Sequence, residues 1–356
     1  MESNLDKSKA EAFGGQMLSI LNGSMMGLMT SIGHKTKLFD IMAELPPSTS
    51  KQIAQRAGLN ERYVREWLNG MVVGKVLEYD PKKTTYKLPK EHAAFLTRAA
   101  GPDNMAVFTQ YISLLGNVEG QVIKSFYNGG GVPYSAYPEF QKLQAEETLR
   151  IFDSMLINKI LPIVPGLVER MNKGIVTLDM GCGRGAAVNL MARAFPQSKF
   201  VGYDISKEGV AAGREEAKSM KLPNTRFEVK DAAKLDEVKK YDLIMAFDSI
   251  HDQAQPTKVL KAIYNALKPS GVFLMQDIAG SSYVHENMGH PLAPALYTFS
   301  TMHCMTVSLA YNGEGWGTLW GEQMARQKLQ QAGFKTIEVK QIPSDILNSY
   351  FIGTKM

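Results

Sequence analysis

Apolar residues recur at helical spacing from the start of the chain: Met17, Leu18, Leu21, Met25, Leu28 and Met29 share one stripe and predict a helical leader over 1–32. Its repeated Gly and Ser suggest close packing against another helix, one from a partner subunit included. Leu38, Phe39, Ile41 and Met42 mark a second helical face. Ser48-Thr49-Ser50 then offers a helix cap, and Gly58 ends the short helix that follows. Asn60 caps a helix from Glu61 to Met71 that Gly74 closes. Val76 to Tyr79 and Thr85 to Leu88 alternate as two strands around the turn Asp80-Pro81-Lys82-Lys83.

That order of helices and hairpin over 33–90 is that of a winged helix. Residues 91–172 read as a mostly helical linker broken at Gly129-Gly130-Gly131-Val132-Pro133. Over 173–356 strand and helix patterns alternate, as an α/β doubly wound sheet requires. A length of 356 residues agrees with more than one domain.

Net charge is +5, from 40 basic and 35 acidic residues spread along the chain. That modest excess favours solubility over nucleic-acid binding. Only Cys182 and Cys304 are present, so a disulfide framework is not expected and a reducing cytosol fits. No charged segment followed by an apolar run opens the chain, and no stretch is long and apolar enough for a membrane span. A cytoplasmic protein is the expectation. The 20 methionines read mainly as adaptable core filler.

The densest chemistry follows Ile175-Val176-Thr177-Leu178-Asp179, a β-branched apolar run suited to a buried parallel strand. Gly181, Gly183 and Gly185 come next, then the helical stretch Ala186 to Ala194. A strand, a glycine turn and a helix N-terminus form a cradle in which free amides favour a negatively charged group. A second strand ends in Asp204, roughly 20 residues past Gly185, where a carboxylate can accept both ribose hydroxyls of an adenosine. A third ends at Lys230-Asp231-Ala232, where Asp231 can take an adenine amino group. Gly181-x-Gly183-x-x-Ala186 also satisfies a dinucleotide pattern. Asp179, two residues before the first glycine, can face an ammonium instead. Asp231 and the closing strands Phe334 to Val339 and Tyr350 to Gly353 add to the case against a nicotinamide.

Val176 to Gly185, Val201 to Asp204, Phe227 to Asp231, Tyr241 to Asp248 and Leu267 to Gly271, in that order, resemble the motifs of class I S-adenosylmethionine-dependent methyltransferases. With the preceding winged helix, the chain is similar to small-molecule O-methyltransferases that carry an N-terminal dimerisation domain, bacterial-type ones especially. The resemblance extends through Gly129 to Phe140, Phe247 to Gln253, Met275 to Asp277 and His290 to Leu309. It implies a Rossmann-like seven-stranded sheet whose last pair is partly antiparallel, S-adenosyl-L-methionine as cofactor, and a homodimer. Gly181 would contact the donor, with Gly183, Gly185 and Ala232 beside it. Asp204 would hold the ribose, Asp231 the adenine, and Phe247 would line the pocket. Cys182 reads as a small residue in a tight turn, not a nucleophile.

His251 follows the fourth strand of that sheet, at the edge where such sheets bind ligands, and is the candidate general base. His251-Asp252 resembles the His-Asp pair of plant-type relatives, whose His is the base, and Asp252 is expected to bind substrate, although Gln253 stands where those relatives have Trp. The segment 279–320 is rich in aromatics, His and Met, and is expected to supply an acceptor pocket, with Tyr297, His303 and Trp316 in it. The spacing of His285, His290, His303 and Cys304 matches no compact metal site. The expected activity is methyl transfer to a small O, S or N acceptor. The alternatives are a winged-helix transcription regulator, a donor-binding protein without catalysis, and a nicotinamide enzyme. The helix Glu61-Arg62-Tyr63-Val64-Arg65-Glu66-Trp67 balances two bases against two acids, which suits a protein contact better than phosphates.

Overall fold

A computed structural model describes residues 5–356. The chain divides into two units, one ending at Gly116 and one beginning at Asn117. The division falls inside the segment expected to be a single linker.

The first unit opens with α1 (Lys7–Lys35), started by Asp6, whose side chain accepts from the Lys9 amide. Next come α2 (Leu38–Glu44), α3 (Ser50–Ala57) and α4 (Glu61–Val73). Thr49 and Gln52 form a capping box on α3, and Gly58 ends it at φ 66°. Asn60 caps α4 by accepting from the Arg62 amide. Strands β1 (Glu78–Asp80) and β2 (Thr85–Lys87) pair antiparallel. The first strand starts later than its alternation suggested. Val76 and Leu77 instead donate their amides to Met71 O and finish α4. Phe39, Ile53, Trp67, Leu68 and Met71 form the buried core, and the Trp67 indole donates to Met29 O at 2.8 Å. Helices α5 (Lys90–Leu96) and α6 (Ala106–Gly116) complete the unit.

The second unit starts with α7 (Glu119–Asn128), the glycine segment, α8 (Phe140–Met155) and α9 (Leu167–Lys173). Its seven-stranded sheet has the order β5-β4-β3-β6-β7-β9-β8. The strands are β3 (Val176–Met180), β4 (Lys199–Asp204), β5 (Thr225–Val229), β6 (Tyr241–Phe247), β7 (Leu267–Ile278), β8 (Thr336–Ile342) and β9 (Asp345–Thr354). The first five are parallel, while β9 runs antiparallel between β7 and β8. Alternation along β6 decides the layers. Leu243 and Met245 pack toward α9, α10 (Ala186–Ala194) and α11 (Lys207–Ser219). Ile244 and Ala246 pack toward α12 (Pro256–Ala266) and α15 (Gly321–Ala332), as does Tyr241, which precedes an irregularity in the strand. The chain order turns back between β4 and β6 across β3, so the crevice of the sheet opens at the carboxyl ends of β3 and β6.

The segment between β7 and α15 holds α13 (Ala293–Phe299) and α14 (Met305–Ala310), joined through a π turn at Ser300–Cys304. Among the described residues, no single helix is long and apolar enough to cross a membrane.

Candidate functional site

The turn after β3 is held from three sides. The Gly181 and Cys182 amides donate to Tyr203 O on β4, at 2.8 and 3.0 Å. The Gly183 amide donates to Asp204 Oδ2 at 2.8 Å. Ser249, beyond β6, donates its hydroxyl to Met180 O at 2.6 Å. Gly181 and Gly185 have φ of 78° and 79°, and a Cβ at either would lie 2.5 Å from the Ser249 side chain or the Phe227 ring. Only glycine suits both places. Gly185 gives α10 no side-chain cap, so the first amides of that helix stay open to a ligand.

Asp179 lies beneath this turn, 3% exposed, and its Oδ1 has no hydrogen-bond partner. Burial, with the Asp204 charge beside it, pushes its carboxyl up to about 7. Asp204, at the tip of β4, accepts from Gly183 and, through Oδ1, from the Ser206 amide at 2.7 Å. Burial raises its carboxyl, and those amides pull against the rise. Asp204 thus braces the turn into α11, whose N-cap is Ser206. Two oxygens with two amides still leave acceptor capacity for hydroxyls. Asp231 starts a short 3-10 turn, Ala232–Lys234, accepting from the Ala233 amide at 2.9 Å, and Ala232 is buried behind it. Phe247, at the end of β6, meets Phe152 edge-on with ring centroids 4.9 Å apart.

The loop after β6 carries the second constellation. Asp248 stands at φ 49° and accepts from Gln276 Nε2 at 2.8 Å. His251 is buried, and its Nδ1 lies 2.8 Å from Asp277 Oδ1. The hydrogen bond goes not to Asp252, its neighbour in the chain, but to the acid at the end of the neighbouring parallel strand. Phe247 is in register with Gln276, which sets Asp277 beside the loop. Adjacent residues in a tight loop cannot both turn to one partner. Burial pulls the His251 imidazole down, but Asp277, with Cys304 bearing on the same ring, outweighs it and raises the value well above normal. Asp277 Oδ2 has no partner. Asp252 is partly exposed, and burial raises its carboxyl to about 6 while the His251 charge opposes the rise. Sequence reasoning assigned no role to Asp277. An acid at the carboxyl end of the strand next to β6 was the available signal.

The π turn delivers His303 to the same region. It is 1% exposed and stacks on Phe140, with centroids 3.9 Å apart. Tyr137 and Tyr134 meet it edge-on at 4.7 and 5.8 Å. Neither ring nitrogen has a hydrogen-bond partner. Burial, then the His251 charge, lowers its value to about 3, so the ring is neutral. The residues after the glycine segment seat against this helix: the Val132 amide donates to Thr306 Oγ1 at 3.0 Å and Tyr137 Oη to Met302 O at 2.5 Å. Tyr134 accepts from Gln141 Nε2 at 2.7 Å, and burial followed by the Asp252 and Asp204 charges pushes its phenol far up. Tyr134 and Phe140 are thus site neighbours that sequence reasoning missed.

Two expected pocket residues make contacts of their own. Tyr297 is exposed, with its hydroxyl accepting from Asn287 Nδ2 at 3.3 Å. Trp316 stacks on Trp320, centroids 4.7 Å apart, and donates to Glu314 Oε2 at 3.1 Å. Its ring packs against the core on the α12 and α15 side of the sheet. Among the described residues, no group of three or more His, Cys, Asp or Glu is arranged to hold a metal ion.

Comparison with known proteins agrees with this architecture. Residues 24–98 match an Rv2258c-like winged HTH domain, and residues 171–333 match a methyltransferase domain. A malonyl-[acyl-carrier protein] O-methyltransferase of Priestia megaterium is 26% identical over 171 residues, covering 46% of this chain and 53% of the relative. A trans-aconitate 2-methyltransferase of Variovorax paradoxus is 27% identical over 195 residues, covering 49% of this chain and 73% of that protein. The chain thus spans about half the length of the first of these. Human N-acetylserotonin methyltransferase in complex with SAM shares the fold, with a TM-score of 0.71 at 17% identity over 100% of this chain and 99% of that one. The chain therefore joins an Rv2258c-like winged HTH domain to a methyltransferase domain.

Proposed function

We propose that this protein transfers a methyl group from S-adenosyl-L-methionine to an oxygen, sulfur or nitrogen atom of a small acceptor. The observation that carries the reading is Asp179, a buried carboxylate with an unpartnered oxygen and no cation beside it, directly under an uncapped glycine turn. A donor with an ammonium and a carboxylate on one carbon answers both: Asp179 takes the first and the open amides at the start of α10 the second. Asp204 holds the ribose hydroxyls, Asp231 the adenine amino group, and Ala232 and Phe247 pack against the rings. The bound donor supplies an electrophilic methyl group on a sulfonium.

His251 acts on the acceptor. With Nδ1 facing Asp277, Nε2 is the atom that takes the acceptor's proton, which requires the Cys304 side chain bonded to the same ring to give way. The Asp277 carboxylate fixes the ring orientation and stabilises the imidazolium that forms. A neutral His303, with Asp252, binds polar groups of the acceptor, and the buried surroundings exclude water. An alcohol or phenol needs the base, and a thiol needs it less.

The leader supports a homodimer. Phe13, Met17, Leu18, Leu21 and Met25 of α1 are 47–60% exposed, an apolar stretch that a second copy would cover. On α4, Arg62 pairs with Glu66 and Arg65 with Glu61, which leaves little net charge for phosphates. A cytoplasmic location agrees with the two free cysteines. Calorimetric titration with S-adenosylmethionine tests the reading: micromolar binding that Asp179→Asn weakens supports it, and absence of binding to the intact chain overturns it.

A further inference from the structure

We propose that Glu237 is a positioning residue for the donor's adenosine: it clamps the segment after β5 so that Asp231 faces the adenine amino group, an inference that rests on the methyl-transfer reading of this site. Glu237 lies between β5 and β6, and its side chain is 15% exposed. Oε1 accepts from Tyr203 Oη of β4 at 2.6 Å, and Oε2 accepts from Lys230 Nζ, just past β5, at 2.9 Å. Lys240 Nζ and Tyr241 Oη also reach Oε1, at 3.3 and 3.5 Å. Lys230 Nζ stands 5.0 Å from the centre of the Tyr203 ring, which closes a triangle of Glu237, Lys230 and Tyr203. Burial would raise the Glu237 carboxyl, but Tyr203 and Lys230 outweigh it and hold the value down at about 2.

Tyr203 and Lys230, which Glu237 grips by their side chains, brace the donor turn with their backbones. Tyr203 O receives the Gly181 and Cys182 amides at 2.8 and 3.0 Å. The Lys230 amide donates to Asp204 O at 2.9 Å. The glycine turn, the ribose acid and the segment carrying Asp231 therefore meet on one pair of residues, and one carboxylate joins that pair from outside the crevice.

The segment carrying Asp231 depends on such a clamp for its direction. Between Lys230 and Tyr241 it forms, among the described residues, one 3-10 turn and no strand. Ala232 and Leu235 are buried against the core, but apolar burial has no direction. The hydrogen bond that Asp231 accepts from the Ala233 amide lies within the turn itself. Lys234, 3.7 Å from Asp231, is 78% exposed, and an ion pair in water constrains little. The Lys230–Glu237 pair is better shielded, with Lys230 22% exposed, and it closes the chain on both sides of Asp231. Such outer support is what holds a binding group to its working geometry.

Calorimetric titration of the full chain tests this by comparing S-adenosylhomocysteine with S-inosylhomocysteine, in which a 6-oxo group replaces the amino donor. The wild type should prefer the adenosyl compound by at least about tenfold. Glu237→Gln keeps the shape and loses the charge, and it should weaken adenosyl binding by about threefold to tenfold. Inosyl binding should hardly move, so the preference should fall by the same factor. Lys230→Met should reproduce both changes, and combining the two substitutions should cost nothing more, because the side chains act as one clamp. The melting temperature reports whether each variant folds; Lys230→Met carries the comparison alone if Glu237→Gln does not. The proposal is overturned by a wild type that does not discriminate the two compounds. It is equally overturned by a preference that survives in the folded variants, since a brace without an adenine role would cost both compounds alike. Failure of S-adenosylhomocysteine to bind the intact chain is the separate result that removes the methyl-transfer reading.

Discussion

The Asp204 charge bears on buried Asp179, and among the described residues no cation offsets it, so a pH dependence of known sign follows. The folded value of Asp179, about 7, lies above the unfolded value near 4. Its contribution to stability is therefore full below about pH 4 and is lost as pH rises through about 7. The unliganded protein should lose melting temperature between pH 5 and 8, and Asp179→Asn should lose less. Donor affinity should move the opposite way, rising from pH 5 to 7 as the carboxylate ionises. Loss of a charged hydrogen bond of about 1.5–3 kcal/mol should weaken the donor roughly ten- to a hundredfold in Asp179→Asn. His251 yields a second test. Its raised value sets the acid limb of kcat/KM for an oxygen acceptor above about pH 6.5. Asp277→Asn should shift that limb to lower pH while reducing kcat, and His251→Ala should reduce kcat by about 10²- to 10⁴-fold. An unchanged pH profile in Asp277→Asn would remove Asp277 from the mechanism.

At the scale of elements, two distortions of regular structure shape the site. The glycine turn is one: Gly185 combines φ 79° with an Phe227 ring 2.5 Å from any added Cβ. Gly185→Ala should cost about 1–3 kcal/mol, read as a melting temperature several degrees lower. The π turn at Ser300–Cys304 is the other. Such a turn slips the helix by one residue, and here it sets both His303 and Cys304 toward His251. His303→Phe keeps a ring against Phe140 and removes two unpaired nitrogens. It should stabilise the unliganded protein by about 1–3 kcal/mol while raising the acceptor KM. A destabilised variant with unaltered KM would show that His303 merely fills space.

At the scale of the whole molecule, the exposed apolar face of α1 invites assembly. Leu21→Glu with Met25→Glu should turn a dimer into a monomer by light scattering at micromolar concentration, and a wild-type monomer would dismiss the homodimer. Much of this architecture was legible beforehand because it depends on short-range rules. The caps Thr49, Asn60 and Gly58, the apolar run of β3 and the three glycines after it state their conformations through neighbours a few residues away. The order of acids Asp179, Asp204 and Asp231 follows from strands that each end at the same edge of a parallel sheet. The choice of Asp277 over Asp252 as the partner of His251 could not be read that way. It depends on the register of β6 against β7, a contact between residues far apart in sequence. Nor could the stacking of His303 on Phe140, since a π turn carries no local composition signal and resets the side chains it holds. Local propensity and periodicity determined which elements form and where the donor turn lies. Long-range packing alone decided which side chains share the space beside it, because burial, charge and hydrogen-bond reach exist only between segments already folded together.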